Sequence, residues 1–360
     1  MTGGLATGGN EPRAKVAIIV LNWNGWRDTI ECLESLQTVN YPDYEVIVVD
    51  NGSTDDSAER IKAWARGDIP VSSRFLGAPR GAKPVSCLDY GPDLTACAPE
   101  GMARALEQAP PASRLVMVRT GRNLGFAGGS NVGVKLALRR GRRAPEYVLL
   151  LNNDTVVAPD AVTVMVNGMA AQPRIGICGA KIRYYADPTR LWFSGGKLGF
   201  LRSTGYHVGL GRRDRPDLRG MVSSTFVTGC AMLIRKRVFD TVPLLDERYF
   251  LSVEDVDYCW RAAKSGWLLA TQLDAVIYHK VSASRGGEGS AREAYYIARN
   301  RMFFSSRHHT PIQRLAFQLF WAGTRLIRFA QWLVGGRVKW ISESARGVMD
   351  FKAGRMGERP

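Results

Sequence analysis

Residues 16–25 read Val-Ala-Ile-Ile-Val-Leu-Asn-Trp-Asn-Gly, six apolar side chains in unbroken succession and then a turn. A strand with one face in water alternates apolar and polar positions, so a continuous run rich in Val and Ile marks a strand covered on both faces. Downstream, Ile30, Leu33 and Leu36 recur at helical spacing, and Glu45 to Val49 is a second buried run that ends at Asp50. Ser53-Thr54-Asp55-Asp56 then supplies acceptors for the open amides of a further helix, carried by the pattern to about Arg66. Strand, helix, strand and helix, each short and apolar, specify the α/β class with a mostly parallel sheet.

Farther along, the sheet resumes at Leu115 to Val118, and Tyr147 to Leu151 is another wholly apolar run that leads into Asn152-Asn153-Asp154. Between the two halves, Asp68 to Ser113 holds seven prolines and little periodicity, which predicts an irregular excursion, either a lid or a disordered insert. Strands are expected at Ile175–Ile182, Phe226–Ile234 and Trp267–Tyr278, a hairpin or flap at Phe193–Gly211, and a helix opening at Glu254. The remainder reads as helical. Ile312 to Val334 is apolar on most faces, but its longest charge-free run, Leu315 to Thr324, is half of the ~20 residues that a membrane span needs. Two readings stand side by side. One is an interfacial helix whose Arg325 and Arg328 reach headgroups while Phe317, Phe320, Trp321, Leu326, Phe329 and Trp332 enter the acyl boundary; the other is a helix docked on the sheet.

Composition narrows the class. With 45% hydrophobic and 23% charged residues in 360, the chain can bury a large core. Residues 1–15 carry four glycines and Pro12, with no apolar run of the signal-peptide kind, so they are expected to be a flexible N-terminus on a cytoplasmic protein. The six cysteines match neither zinc-site spacing nor a disulfide framework; Cys87 and Cys97 alone are close enough to suggest a pair, and two free thiols is the simpler reading. From Arg299 onward, twelve Lys and Arg stand against three acids, a net +9 in a chain of net +16. Such a tail suits an anionic surface, and peripheral attachment to the inner face of the cell membrane is the expectation. No zinc finger or nucleic-acid motif accompanies the charge, so nucleic acid is not an expected partner.

Open parallel sheets bind ligands at the carboxyl ends of their strands. Here those ends are Asn22, Asp50, Asn153 with Asp154, and His279, a polar set suited to a nucleotide and a hard divalent cation. Asp154 is the candidate metal ligand, with His279 either completing the shell or serving as a structural histidine. The glycines at 125, 128 and 129 are read as lying just before a helix, where backbone amides could approach a diphosphate. A dinucleotide G-x-G-x-x-G fingerprint is absent, which disfavours a nicotinamide cofactor. Glu254 and Asp255 open a helix, where the dipole keeps a carboxylate charged and able to act as a base.

In order, the stretches VAIIVLNWNG, VIVVDNGSTDDS, NLGFAGGSNVG, YVLLLNND, FVTGCAMLIRK and DERYFLSVEDVDYCWRAAKSGW resemble the family 2 glycosyltransferases of the GT-A fold, particularly the rhamnosyltransferase-like branch. The resemblance runs from Val16 to about His279. It implies a Rossmann-like nucleotide-binding sheet with flanking helices, a glycosyltransferase domain over 16–290 with the insert 68–113, and a helical basic extension over 291–360. It also implies that Asn22 and Asp50 line the base and ribose, and that Asn123, Gly128, Gly129 and Asn131 border the donor. Asn153 and Asp154 would stand in for the D-x-D motif and hold Mg²⁺ or Mn²⁺. Asp255 would be the base of an inverting displacement, with Thr228, Gly229 and Glu254 on the acceptor side. Only the last residue of Asn152-Asn153-Asp154 is a carboxylate, a departure from that motif.

The activity so implied is transfer of rhamnose or another hexose from a nucleotide diphosphate to a hydroxyl of a saccharide or lipid-linked saccharide, in cell-surface polysaccharide synthesis. Two alternatives remain at this point. A sugar nucleotidylyltransferase would need a basic Gly-rich loop after the first strand, and Asn22-Trp23-Asn24-Gly25 does not supply one. A non-catalytic, transferase-like binding module at a membrane would not need Asp50, Asp154 and Asp255 together.

Overall fold

The computed structural model describes residues 14–76, 83–91, 114–139, 144–281 and 290–359. The expectations for residues 1–13, for 77–82 and 92–113 of the insert and for Cys97 fall outside them. The five described cysteines are free thiols.

The first half winds as the apolar runs require. Strand β1 (Val16–Asn22) leads to helix α1 (Trp26–Leu36), β2 (Tyr44–Asp50) and α2 (Ser57–Arg66). β3 (Ser86–Tyr90) and β4 (Arg114–Arg119) follow, then α3 (Gly125–Leu138) and β5 (Tyr147–Asn152). β1 lies between β2 and β5 and parallel to both, with Asn22 opposite Asp50 and Leu21 opposite Asn152. Its residues Val16 to Val20 are at most 1% exposed, and burying each such Val or Ile contributes about 1.5–3 kcal/mol. β3 was hidden by the surrounding prolines: it is a five-residue edge strand beside β4 that buries Leu88 alone, inside the stretch expected to be irregular.

The second half mixes strand directions. β6 (Thr155–Val157), α4 (Ala161–Ala171), β7 (Ile175–Tyr184) and β8 (Leu191–Phe193) precede the hairpin of β9 (Gly196–Gly199) and β10 (Thr204–His207). β11 (Met221–Ser224), β12 (Ala231–Arg235), α5 (Glu254–Lys264) and β13 (Leu268–His279) complete the sheet. β12 runs antiparallel between β5 and β7, so the strand expected over Phe226–Ile234 starts later, after a turn at Thr228 to Cys230. Among the described residues, eleven strands form one sheet whose main path is β11-β13-β7-β12-β5-β1-β2-β4-β3.

Three C-terminal helices follow: α6 (Ala291–His308), α7 (Pro311–Val334) and α8 (Val338–Lys352). α6 is part of the fold, with Tyr295, Tyr296, Arg299 and Asn300 all 0% exposed. α8 packs on it so closely that a Cβ on Gly347 would lie 2.4 Å from the Tyr295 carbonyl oxygen. α7 opens with Pro311 after a Thr310–Gln313 capping box and is more loosely attached. It turns Phe317 and Trp321 inward, against Ala298 of α6, and exposes Ile312, Leu315, Leu319, Leu326, Ile327, Leu333 and Val334. The docked reading of this helix therefore holds for one face, and its opposite face is exposed. The aromatic set expected to enter lipid is corrected accordingly, since Phe317 and Trp321 hold the helix to the protein.

Before α5 the backbone is strained. Phe250, Ser252 and Val253 have φ of 62°, 68° and 76°, a region that costs an L-residue about 1–2 kcal/mol and suits a β-branched Val least. Asn300 counters this from α6: its Nδ2 donates to the carbonyls of Tyr249, Leu251 and Ser252 at 2.8–2.9 Å. Arg299 adds a bond to the Tyr249 carbonyl at 3.0 Å. Strain persists where surrounding contacts over-determine it, as they do here.

Two outcomes follow for equilibrium unfolding in urea. Asn300→Ala leaves those carbonyls short of a donor and should lower stability by about 1–3 kcal/mol. In α3, a Cβ on Gly129 would stand 2.4 Å from Leu21 Cδ1; Gly129→Ala gains up to about 1 kcal/mol of helix propensity but loses about 1–3 to overpacking, so the midpoint should fall.

Candidate active site

Parallel pairing brings the ends of β1, β2 and β5 to one edge of the sheet, and a cleft of about 500 Å³ opens there. Asn51, Asn123 and Gly125 form one wall, and Asn153 and Asp154 lie at the end of β5. Trp192 and His207 come from the hairpin side, Thr228 and Gly229 from the turn before β12, and Phe250 to Val256 from the strained segment and the start of α5. His279 and Arg292 close the lining. This volume lies within the range of small-molecule sites.

Asp154 and His279 meet although β5 and β13 are far apart in sequence. β6 pairs antiparallel with the end of β13, setting Thr155 opposite His279. His279 Nε2 lies 3.1 Å from Asp154 Oδ1, and both residues are 5% exposed. Burial disfavours the imidazolium, yet Cys230 and Asp154 outweigh it and push the His279 pKa up to about 10. The other ring nitrogen, Nδ1, is buried without a hydrogen-bond partner, and the ring packs edge-on against Trp192 at 4.4 Å. The Asp154 carboxylate, lining the cleft with the His279 ring set against it, is the oxygen donor that a Mg²⁺ or Mn²⁺ ion takes. No group of three or more His, Cys, Asp or Glu able to hold a metal occurs among the described residues. The fit is therefore to an ion that takes its remaining oxygens from phosphate and water, as Mg²⁺ commonly does.

Asp255 faces the same cleft from the first turn of α5. Its Oδ2 accepts from the Gly229 amide at 2.9 Å and its Oδ1 from the Val256 amide at 2.8 Å, which aims the carboxylate and ties α5 to the turn before β12. Glu254 beside it is buried and also lines the cleft. Asp257, two residues on, is held elsewhere: it pairs with Arg261 and His308 and accepts from Tyr249. Burial raises its pKa, but the hydrogen bond from His308 and the charge and hydrogen bond of Arg261 outweigh the effect and hold the carboxyl below its usual range.

The cleft thus gathers Asn123, Asn153, Asp154, Thr228, Gly229, Glu254, Asp255 and His279. The other candidates lie behind it. Asn22 is 0% exposed; its Nδ2 donates to Asp50 at 2.9 Å, and its Oδ1 accepts from Thr29 at 2.7 Å. Asp50 is 5% exposed and also accepts from Ser53. Gly128, Gly129 and Asn131 lie inside α3 rather than before it. Gly129 lets the helix touch β1, and Asn131 clamps Leu245 through its backbone and Glu247 through its side chain. Their position is a correction: the helix begins at Gly125, so these residues serve its packing.

Sequence reasoning passed over Asn51. Its Nδ2 donates to Asn123 Oδ1 and the Gly125 carbonyl, and its Oδ1 accepts from the Leu124 amide. Its place directly after the strand-end Asp50 was the available signal. His207 lay in a stretch read only as a hairpin or flap, and Trp192 directly before it.

Comparison with known proteins agrees with this geometry. A model described as "Glycosyltransferase like family 2" matches residues 90–304, and one described as "Glycosyl transferase family 2" matches 17–82. An N-acetylglucosaminyl-diphospho-decaprenol L-rhamnosyltransferase of Mycobacterium tuberculosis is 28% identical over 261 residues, covering 66% of this chain and 81% of the relative. A low-salt glycan biosynthesis hexosyltransferase, Agl10 of Haloferax volcanii, is 23% identical over 67% of this chain and 76% of its own length. Among solved structures, a Pyrobaculum calidifontis mannosyltransferase in complex with GDP-Man and Mn²⁺ superposes with TM-score 0.50 at 15% identity, over 95% of this chain and 87% of that one. GalNAc-T7 with UDP, GalNAc and Mn²⁺ gives 0.52 at 14% identity, over 86% and 54%. These likenesses identify the sheet as the GT-A fold, and with the family models matching more than half of its length the chain belongs to glycosyltransferase family 2.

Proposed function

We propose that the protein is an inverting glycosyltransferase that moves L-rhamnose, or failing that another hexose, from a nucleotide diphosphate to a hydroxyl of a lipid-linked saccharide in cell-surface polysaccharide synthesis. The observation that carries this reading is that Asp154 and Asp255 line one cleft. The mycobacterial relative, named for a rhamnosyl transfer to a diphospho-decaprenol acceptor, supports the donor sugar and the lipid-linked acceptor.

Asn123 and Asn153, with Asn51 beside them, would orient the nucleotide, while Asn22 and Asp50 brace the strand ends from behind. Asp154 would hold Mg²⁺ or Mn²⁺, with His279 orienting its carboxylate, and the ion when bound neutralises charge on the departing diphosphate. Asp255 Oδ2 is aimed by the Gly229 amide, so it can take the proton from the acceptor hydroxyl during attack on the anomeric carbon. Thr228 and Glu254 would shape the acceptor's side. No covalent intermediate is needed. The catalytic unit would span 16–290, with 291–360 as an integral helical extension.

Among the described residues, no helix is long and apolar enough to cross a membrane. The outward apolar stripe of α7 and the net +9 tail support peripheral attachment at the inner face of the membrane.

Asp255→Asn should lower sugar transfer by about 10²–10⁴-fold while nucleotide-sugar binding, measured by calorimetry in the presence of Mn²⁺, is retained; loss of both together would remove Asp255 from the role of base. Leu319→Glu with Leu326→Glu should abolish flotation of the full-length protein with anionic vesicles, and undiminished recovery would remove the attachment reading.

A further inference from the structure

Away from the cleft, α6 carries a buried cation that no acid answers. Arg301 is 8% exposed, and its Nε donates to the Arg202 carbonyl. Its guanidinium lies over the Trp321 ring at 4.5 Å and the Phe317 ring at 5.9 Å. Among the described residues, neither Arg301 nor Arg325 forms an ion pair with a carboxylate. Arg325 from α7 lies over the same Trp321 ring at 4.2 Å, and its Nε is buried with no hydrogen-bond partner. Burial, then the Arg325 and Arg202 charges, pull Arg301 down to about 9; burial and Arg328 pull Arg325 down to about 10. Packing two guanidiniums around one indole without a counter-ion is costly, so the arrangement is incomplete without an anion.

The surroundings say which kind. The turn Phe200–Arg202 packs against α7, and its Phe200 and Leu201 are 43% and 52% exposed. On α7, Leu315, Leu319 and Leu326 are 57%, 67% and 74% exposed. At 3.6 residues per turn these leucines point away from the flank that carries Trp321 and Arg325, across a helix about 10 Å in diameter. With that stripe sunk about 5–10 Å into the acyl boundary, the guanidiniums stand at headgroup height. The site pairs positive charge with adjoining apolar surface, as an anion attached to hydrocarbon requires and a free anion does not.

We propose that Arg301 and Arg325, with Arg202 at the rim, bind the phosphate of an anionic phospholipid and so fix the depth and orientation of the enzyme at the membrane. The inference rests on the reading of α7 as an interfacial helix. It adds a defined phosphate site to what would otherwise be diffuse attraction.

The test uses the full-length protein and vesicles of phosphatidylcholine alone or with about a third phosphatidylglycerol. Arg325→Lys and Arg301→Lys keep the charge but lose the planar fork that grips phosphate. Each should weaken binding to the anionic vesicles by about tenfold, whereas Lys339→Gln, a charge loss at an exposed position, should weaken it less. Thermal melting of each variant reports its folding; should Arg301→Lys fail to fold, Arg325→Lys on the loosely attached helix decides alone. If the wild type binds neither vesicle, the interfacial helix and the site both fall. If the wild type binds and Arg325→Lys binds equally well, the site falls and the helix reading survives. Inorganic phosphate that stabilises the wild type but not Arg325→Lys, with vesicle binding unchanged, would mark a free-anion site and overturn the lipid assignment.

Discussion

Parallel pairing of β1 with β2 and β5 is the constraint on which the site depends. A parallel ladder delivers every strand end to the same edge, so the residue that closes each apolar run arrives beside its counterparts without further instruction. Asn22, Asp50 and Asn152 meet in this way, and the next residue along, Asn51 or Asn153, turns into the cleft. The antiparallel insertion of β12 then carries the chain back past the same edge, and the turn before it brings the Gly229 amide to Asp255. Acid chemistry is thus assembled from both halves of the chain by register alone.

The second half contributes its acid at a cost in backbone strain. A regular approach to α5 would present other atoms to the cleft; three left-handed residues re-aim the segment, and Asn300 holds them. The C-terminal helices therefore brace the segment before α5 as well as extending the chain. Their attachment is graded, tight at α6 and α8 and loose at α7, and the loose helix presents the apolar stripe.

Much of this was legible in the residues. Unbroken Val and Ile runs reveal strands buried on both faces, so β1, β2 and β5 and their polar ends could be located in advance, and Asp154 and Asp255 with them. Other features depend on tertiary contact. Gly128 and Gly129 look alike whether they cradle a phosphate or let a helix touch a strand, and only the distance to Leu21 separates the two. Asn131 belongs to the same motif, yet its partners lie more than a hundred residues away. On α7, aromatic character marked Phe317 and Trp321 as membrane-facing, whereas large rings are also the best contacts between helices, and that use prevailed. The short strand Ser86–Tyr90 was masked because flanking prolines carry more weight in a local pattern than five residues that need β4 to become a strand.

A single rigid element spans the two ends of the molecule's work. Arg292 lines the reaction cleft and Arg301 sits in the cationic cluster, both on α6, and nine residues at 1.5 Å each separate them by about 14 Å along the axis. On the proposed membrane attachment, such a rod would act as a ruler, fixing the height of the cleft above the lipid surface. A lipid-tethered acceptor would then be elongated only if its spacer matched that height, so its chain length would be measured by geometry before any hydroxyl is recognised.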